Sequence, residues 1–320
     1  MCDPALLKTD LTGKRYVVTG ANSGIGFVTA RQLALQGAHV ILACRKTDEG
    51  GRKAEEIKTD MADASLEVRR LDLGDLASVR SFAEGLSRDL ESLDGLINNA
   101  GVMNTPKGTT KDGFETQIGV NHLGHFELTN RLVDLLKAGA PSRVVNVSSC
   151  FHDFAMGKEG KIDLGDLHFE SRPYDGWTAY AQSKLANLLH AKELSRRLEG
   201  SGVTAVSVHP GWVRTNLARH SMPLWMQNYV MRPVLRIMGM IEPWEGAQTT
   251  LHCVLDPDVP THAGEFYSQL GVYRDKSANR GGWPLRSPNP QAHDDGLATK
   301  FWELSEQLVG GDAVTEAQAS

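Results

Sequence analysis

The fold of this chain follows from Arg15-Tyr16-Val17-Val18-Thr19-Gly20-Ala21-Asn22-Ser23-Gly24-Ile25-Gly26. Its first five residues are an apolar run of strand length, and a helical pattern follows from Gly24 to Gln36. Glycines between a strand and a helix let the backbone approach a ligand closely, and the N–H groups of the first helical turn attract an anion. A plain strand-to-helix turn is the alternative, because the glycine spacing differs from the common Gly-x-Gly-x-x-Gly form. The predicted phosphate site comprises Gly20, Asn22, Ser23, Gly24, Ile25 and Gly26.

Five further apolar runs of strand length alternate with segments long enough for a helix. They span residues 39–44, 66–71, 95–98, 143–147 and 203–208. Strands separated by helices imply right-handed crossovers and a parallel sheet, and runs that barely alternate in polarity suit strands covered on both faces. The sequence thus predicts an α/β fold, with one doubly wound, Rossmann-like parallel sheet in a single domain over residues 1–320.

The composition of the chain argues against several classes of partner and site. A chain of 320 residues with 41% hydrophobic residues, 23% charged residues and a net charge of −5 is ordinary for a globular protein, and it lacks the basic excess of a nucleic-acid-binding protein. Four scattered cysteines favour neither a disulfide framework nor a metal site: Cys2, Cys44, Cys150 and Cys253. The first residues lack the apolar core of a signal peptide, and no run has the roughly 18 apolar residues of a membrane span. We therefore expect a soluble, cytoplasmic protein.

The end of the second strand distinguishes the two nicotinamide dinucleotides. An acidic residue there binds the ribose 2′-hydroxyl, whereas an arginine accommodates a 2′-phosphate. This chain has Arg45 and Lys46 and no acid before Asp48, so the sequence favours NADP(H), with a solvated basic turn as the alternative. Asp72, after the third strand, is placed to reach the adenine or to cap the helix that starts near Leu76.

Several short motifs occur in an order that resembles the classical short-chain dehydrogenase/reductases over about residues 13 to 265. The matching elements are Thr19 to Gly26, Asp72-Leu73, Asn98-Asn99-Ala100-Gly101, Asn121, Val147-Ser148-Ser149, Tyr180-Ala181-Gln182-Ser183-Lys184 and Pro210-Gly211-Trp212-Val213-Arg214-Thr215. A Tyr-x-x-x-Lys pair alone is common by chance, but this ordered set is highly specific. The resemblance implies an oxidoreductase that moves a hydride between a nicotinamide and a carbonyl or alcohol carbon.

The resemblance also implies catalytic roles for four residues. Tyr180 would be the acid/base, and Lys184, one helical turn later, would lower the pKa of the phenol and hold the nicotinamide ribose. Ser149 would donate a hydrogen bond to the substrate oxygen, with Ser148 as the alternative donor. Asn121 would hold a water that links Lys184 to solvent, unless it is simply a satisfied helix residue. The remaining cofactor contacts that the resemblance implies are Leu73, Asn99, Ala100, Gly101, Pro210, Gly211, Val213 and Thr215.

Other segments resemble the retinol dehydrogenase branch of this family. They are Asn121 to Phe126, Ala140 to Arg143, the insert from Cys150 to Thr178, Ser183 to Asn187 and Phe301 to Glu306. The branch implies NADP-dependent interconversion of retinol and retinal, often extended to other lipid aldehydes. The chain departs from it in lacking an N-terminal apolar anchor and in having a long loop rich in glycine and proline. The alternatives are a steroid or xenobiotic carbonyl reductase and a non-catalytic NADP(H)-binding sensor.

Two late segments interrupt the pattern of strands and helices. Residues 218–244 contain five of the nine methionines and predict a substrate lid with an adaptable apolar surface; an amphipathic core helix and a helix lying on a membrane surface are the alternatives. Residues 271–296 predict an irregular loop, and a helix from Leu297 to Leu308 follows. We expect an apolar small molecule as partner and, by the resemblance, a homodimer formed through the helices that carry Asn121 and Tyr180.

Overall fold

The computed structural model describes residues 2–214, 240–268 and 284–310. Thr215, most of the predicted lid and the first part of the predicted loop lie outside these residues. The strands are β1 (Arg15–Thr19), β2 (His39–Cys44), β3 (Leu66–Arg70), β4 (Gly95–Asn98), β5 (Ser142–Val147), β6 (Phe154–Ala155), β7 (Lys158–Glu159), β8 (Val203–His209) and β9 (Phe266–Ser268). Seven of them form one parallel sheet in the order β3-β2-β1-β4-β5-β8-β9, while β6 and β7 form a separate hairpin.

Helices cover both faces of this sheet. They are α1 (Gly24–Leu35), α2 (Thr47–Asp60), α3 (Leu76–Asp89), α4 (Thr116–Ile118), α5 (Gly124–Ala138), α6 (Gly176–Arg197), α7 (Pro243–Leu255) and α8 (Asp295–Gly310). Neighbouring strand residues point to opposite faces, so that Val17 packs with α3 and α5 while Val18 packs with α1 and α7. The predicted α/β fold with a doubly wound parallel sheet is therefore confirmed.

The strand order reverses between β1 and β4, because β2 and β3 extend from one side of β1 and β5 and β8 from the other. In open α/β sheets, ligands bind beyond the carboxyl ends of the strands at such a switch point. The glycine-rich turn after β1 and the Asn98–Gly101 segment after β4 flank this point. The topology thus brings two predicted cofactor segments together although about 80 residues separate them.

Four features of the structure differ from the sequence prediction. The short strand β9, which pairs in parallel with β8, and the β6–β7 hairpin inside the 150–178 insert carry too few residues to show a strand pattern. The last helix begins at Asp295 rather than Leu297 and extends to Gly310. The described end of the predicted loop contains a 3₁₀ turn at Pro290–His293.

Helix α8 packs across α5 and α6. Its Trp302 ring lies edge-on to Phe126, with 4.7 Å between the centroids, and the Arg197 guanidinium lies 4.7 Å from the centroid of the Trp302 ring. Phe301 stacks on His122 at 4.7 Å. These contacts bury the inner face of the helix. Among the helices of the described ranges, none combines the length and the apolar character that crossing a membrane requires.

Candidate active site

The turn after β1 is built for a close approach of backbone to ligand. Gly20 and Gly24 have φ values of 67° and 56°, a region that favours glycine. A Cβ on Gly26 would lie 2.6 Å from the carbonyl oxygen of Gly20 and would also collide with the Asn99 amide. Ser23 precedes α1 without capping it through its side chain, so the first helical N–H groups face outward from the turn. This cradle fits the diphosphate of a dinucleotide.

A hydrogen-bond network joins this turn to the segment after β4. The Thr19 hydroxyl accepts bonds from the backbone N–H groups of Asn99 and Ala100, both at 2.9 Å, and the Asn99 amide donates to the Thr19 carbonyl at 2.7 Å. His125 Nε2 lies 2.9 Å from the same hydroxyl, and its Nδ1 lies 3.0 Å from the carbonyl oxygen of Asn121. Burial lowers the pKa of His125 to about 4, so its ring is neutral at pH 7. His125 therefore links the cofactor turn to the backbone of Asn121.

The basic residues after β2 differ in their surroundings. Lys46 is paired with Glu49 at 2.8 Å, and Glu49 also accepts a 2.9 Å bond from the Asn22 amide. Arg45 is exposed, and it has no ion-pair partner within the ranges that the structure describes. Of the two residues predicted to bind the 2′-phosphate, Arg45 is therefore the one whose guanidinium is available to pair with it.

Asp72 and Leu73 follow the carboxyl end of β3. Asp72 accepts a 3.1 Å bond from the Gly74 N–H, while the cap of α3 is Asp75, whose carboxylate accepts from the Ser78 N–H at 3.3 Å. The alternative interpretation of Asp72 as the helix cap is therefore wrong. Leu73 is buried against the start of α5, where a side chain on Gly124 would collide with the Leu73 backbone.

Tyr180 and Lys184 lie one turn apart on α6, and Ser149 follows β5 opposite them. Ser149 is hydrogen-bonded to the Tyr180 phenol, and all three side chains are buried. Ser148 points elsewhere, since its hydroxyl donates to the Lys184 carbonyl oxygen at 2.7 Å. This arrangement leaves Ser149, not Ser148, as the hydroxyl at the phenol. The three predicted groups come together at the carboxyl edge of β5.

The pKa values of Lys184 and Tyr180 are set mainly by their burial. Lys184 donates to the carbonyl oxygen of Val147 at 2.9 Å, and its Nζ lies 5.6 Å from the centroid of the Tyr180 ring. Burial lowers the pKa of Lys184 to about 7. Burial also raises the pKa of Tyr180, while the hydrogen bond with Ser149 acts in the opposite direction. The phenol is therefore protonated at neutral pH, and the lowering of its pKa by Lys184 stays a prediction.

Asn121 lies in a π-helical turn, Gly119–Leu123, between α4 and α5. Such turns interrupt helices at functional positions. The Asn121 amide bonds both the N–H and the carbonyl oxygen of Val102, at 2.8 and 2.9 Å, and donates to Ser183 Oγ at 2.9 Å. A Cβ on Gly101 would lie 3.0 Å from Asn121 Oδ1 and 3.6 Å from Lys184 Nζ, so only glycine leaves this approach open. Asn121 thus fixes the segment between the cofactor turn and α6.

The Pro210-Gly211 turn closes the site from the other side. Gly211 has a φ of 94°, and Val213 forms a bridge with Ile241 next to α7. A Cβ on Gly246 would collide with Val213 and lie 3.4 Å from Ile25, so the turn and the start of α1 meet at this glycine. Thr215 lies outside the described residues.

An aromatic wall stands beside the phenol, formed by Phe151, Trp177 and Tyr180. The centroid of the Phe151 ring lies 5.5 Å from Trp177 and 6.2 Å from Tyr180, and Trp177 lies 6.4 Å from Tyr180, all edge-to-face. Such rings present an apolar surface to a ligand. Trp177 and Phe151 belong to the 150–178 insert, and their position at the site was not predicted.

Comparison with known proteins agrees with this geometry. The short chain dehydrogenase family model matches residues 14–158. The chain is 44% identical over 300 residues to human retinol dehydrogenase 12, covering 94% of this chain and 87% of that protein. It is 41% identical over 308 residues to human retinol dehydrogenase 13, covering 96% and 87%.

Among solved structures, an uncharacterized protein from Mycobacterium paratuberculosis is 40% identical, with a TM-score of 0.72 over 95% of this chain and 96% of that one. The NADP complex of Pseudomonas aeruginosa RhlG shares the fold at 23% identity, with a TM-score of 0.64 over 81% and 95%. The predicted oxidoreductase class, acting on alcohol and carbonyl groups with a nicotinamide dinucleotide, is thereby confirmed. The chain belongs to the short-chain dehydrogenase family.

Proposed function

We propose that the protein is an NADP(H)-dependent oxidoreductase that interconverts an apolar alcohol and its aldehyde or ketone, with a retinol-like substrate. The observation that carries the proposal is the hydrogen bond of the buried Ser149 to Tyr180 beside the aromatic wall. A long conjugated hydrocarbon fits a surface of edge-to-face rings because dispersion and apolar burial dominate such contacts. The similarity to proteins named retinol dehydrogenases supports the same substrate class.

Each polar group in the site has a distinct task. With its diphosphate held in the cradle after β1, the dinucleotide would supply or accept the hydride through its nicotinamide. The phenol of Tyr180 is protonated at neutral pH and is thus ready to donate its proton to the carbonyl oxygen during reduction. Ser149 donates a hydrogen bond to the same oxygen and stabilises the charge that develops there. Lys184 would hold the nicotinamide ribose and return a proton to the phenol, and Asn121 would hold the water that links Lys184 to solvent.

The preference for the phosphorylated cofactor rests on Arg45. Arg45→Asp should weaken NADPH binding about 10- to 100-fold, since a charge-assisted bond contributes roughly 1.5 to 3 kcal/mol, while NADH binding changes little. Fluorescence titration with each dinucleotide measures both constants. Arg88→Asp, at an exposed position of α3, is the matched control. Equal weakening of NADPH and NADH by Arg45→Asp would contradict the assignment.

The substrate class is tested with a panel of carbonyl compounds. We expect NADPH oxidation to be fastest with all-trans-retinal, slower with medium-chain aldehydes and slowest with a steroid ketone. A Trp177→Ala variant should raise the KM for retinal more than that for a short aldehyde, because the longer hydrocarbon buries more of its surface against the aromatic wall. A preference for the steroid ketone would favour the alternative reductase. NADPH binding without turnover of any compound would favour the sensor.

Assembly and location stay part of the proposal. We infer a cytoplasmic enzyme in which residues 218–244, most of which lie outside the described residues, form a substrate lid, with contact to a membrane surface as the alternative role of this segment. A homodimer through the helices of Asn121 and Tyr180 would have to form beside α8, since Phe301 packs on His122 next to Asn121 and Trp302 packs on Arg197 of α6. Light scattering of the purified protein and flotation with lipid vesicles measure these two properties.

A further inference from the structure

We propose that His152 is a positioning residue for Ser149, and that residues 285–293, here called the C-terminal clasp, hold His152 in place. The proposal rests on the proposed function, because it assigns the clasp to the same catalytic hydroxyl. His152 belongs to the insert and follows Ser149 by three residues. Its importance comes from what its two ring nitrogens join.

The His152 ring is a buried bridge between the catalytic loop and the clasp. Its Nδ1 lies 2.6 Å from the carbonyl oxygen of Ser149, and its Nε2 lies 2.6 Å from Ser287 Oγ. A carbonyl oxygen can only accept, so Nδ1 carries the proton and Nε2 accepts from the Ser287 hydroxyl. The side chain is fully buried, so loss of either bond would not be compensated by water.

Asn289 fixes the same turn from a second direction. Its amide donates to the carbonyl oxygens of His152 and Gly160, at 2.9 and 2.8 Å, and its own N–H donates to Ser287 Oγ at 3.1 Å. The Gln291 side chain accepts from the Ile162 N–H at 2.8 Å. The clasp therefore binds both the start of the insert and the segment that follows the β6–β7 hairpin.

The clasp is itself anchored to the sheet. The Leu285 N–H donates to the carbonyl oxygen of Phe266 in β9 at 2.8 Å, and His293 Nε2 donates to the Ser287 carbonyl oxygen at 2.7 Å. The Phe266 ring meets His152 edge-on, with 4.8 Å between centroids. The His152 ring is thus held by a rigid element on one side and by polar contacts on the other.

The bridge through His152 fixes the position of Ser149. Its carbonyl oxygen accepts from both the N–H and Nδ1 of His152, and its hydroxyl oxygen accepts from the Phe151 N–H at 3.2 Å while bonding to Tyr180. The backbone of Ser149 and its side chain are therefore fixed by the same turn. Releasing the carbonyl oxygen would let the hydroxyl leave the phenol, and would also move Phe151 in the aromatic wall.

Three variants test the role by activity. His152→Phe removes both polar contacts and should lower kcat about tenfold or more, whereas NADPH binding stays within about twofold, because a lost buried hydrogen bond costs roughly 1 to 3 kcal/mol. His152→Asn keeps a donor near the Nδ1 position and should recover most of kcat. Ser287→Ala should give an intermediate loss. The matched control is Ser305→Ala on α8, which removes the hydroxyl that lies 2.9 Å from Nε2 of the buried His122.

Hydrogen exchange tests the bridge without any substrate. In His152→Phe and in Ser287→Ala, the amides of residues 150–153 and 285–293 should exchange faster together, whereas Ser305→Ala should leave both segments protected. If His152→Phe does not fold, Ser287→Ala carries the test. Unchanged exchange at residues 150–153 in Ser287→Ala would overturn the proposal, and so would an equal kcat loss in Ser305→Ala. Coupled exchange in a protein that reduces no carbonyl would refute the proposed function and leave the bridge intact.

Discussion

Tyr180→Phe is expected to reduce carbonyl turnover by a factor of about 10² to 10⁴, the range that a positioned acid contributes. The phenylalanine ring fits the same buried space, so the change removes only the hydroxyl that bonds Ser149 and donates the proton. NADPH affinity should stay within about threefold, because the cradle after β1 is untouched. Single-turnover rates with retinal, measured beside the NADPH dissociation constant, separate the two effects.

The matched control for this change is Tyr16→Phe. Tyr16 is also a buried phenol, but it lies beside Gly95 near the amino end of β1, at the opposite end of the strands from the site. Its replacement should leave kcat within about twofold. Substantial turnover by Tyr180→Phe with the control unaffected would show that another group donates the proton.

Lys184→Met is expected to change the pH dependence of stability in the protein without added dinucleotide. The folded protein lowers the pKa of Lys184 to about 7, against 10.5 for an ordinary lysine. Between these values the unfolded chain carries a proton that the folded chain does not, so the contribution of Lys184 to stability rises with pH. The difference in unfolding free energy, wild type minus Lys184→Met, should therefore grow by an amount on the order of 4 kcal/mol from pH 7 to pH 10.

Urea denaturation at several pH values measures this difference. Dinucleotide must be removed first, because ligand binding adds its own stabilisation. Below pH 7 the wild type must bury an ammonium that donates to the Val147 carbonyl oxygen, and methionine is expected to be favoured there. A difference that stays flat from pH 6 to pH 10 would mean that Lys184 remains charged in the folded protein.

The sequence was sufficient for the sheet and for the cofactor turn because their signals are local. The run from Arg15 to Thr19 and the glycines that follow combine strand pattern, turn chemistry and helix start within about a dozen residues. The choice of Ser149 over Ser148 came from the family resemblance alone. The structure supplies a physical reason for it, since Ser148 is committed to the Lys184 carbonyl oxygen.

Contacts between residues far apart in the chain could not be predicted from local sequence patterns. His125 acquires its role from Thr19, and His152 from Ser287, and in each case more than 100 residues separate the partners. The spacing of Tyr180 and Lys184 predicted that they share a helix face, but burial, which sets both pKa values, depends on the whole fold. Met222 and the rest of the predicted lid up to residue 239 lie outside the described residues.

The packing of α8 across α5 and α6 also has a consequence for biosynthesis. Ribosomes deliver a chain from its N-terminus at roughly 5 to 20 residues per second, so Phe301 and Trp302 emerge after every strand of the sheet. Until they do, Phe126 and His122 present an uncovered apolar surface on the helices that carry the catalytic residues. A nascent chain stalled before Asp295 would expose a surface that chaperones bind, and a premature stop codon there would yield an aggregation-prone product.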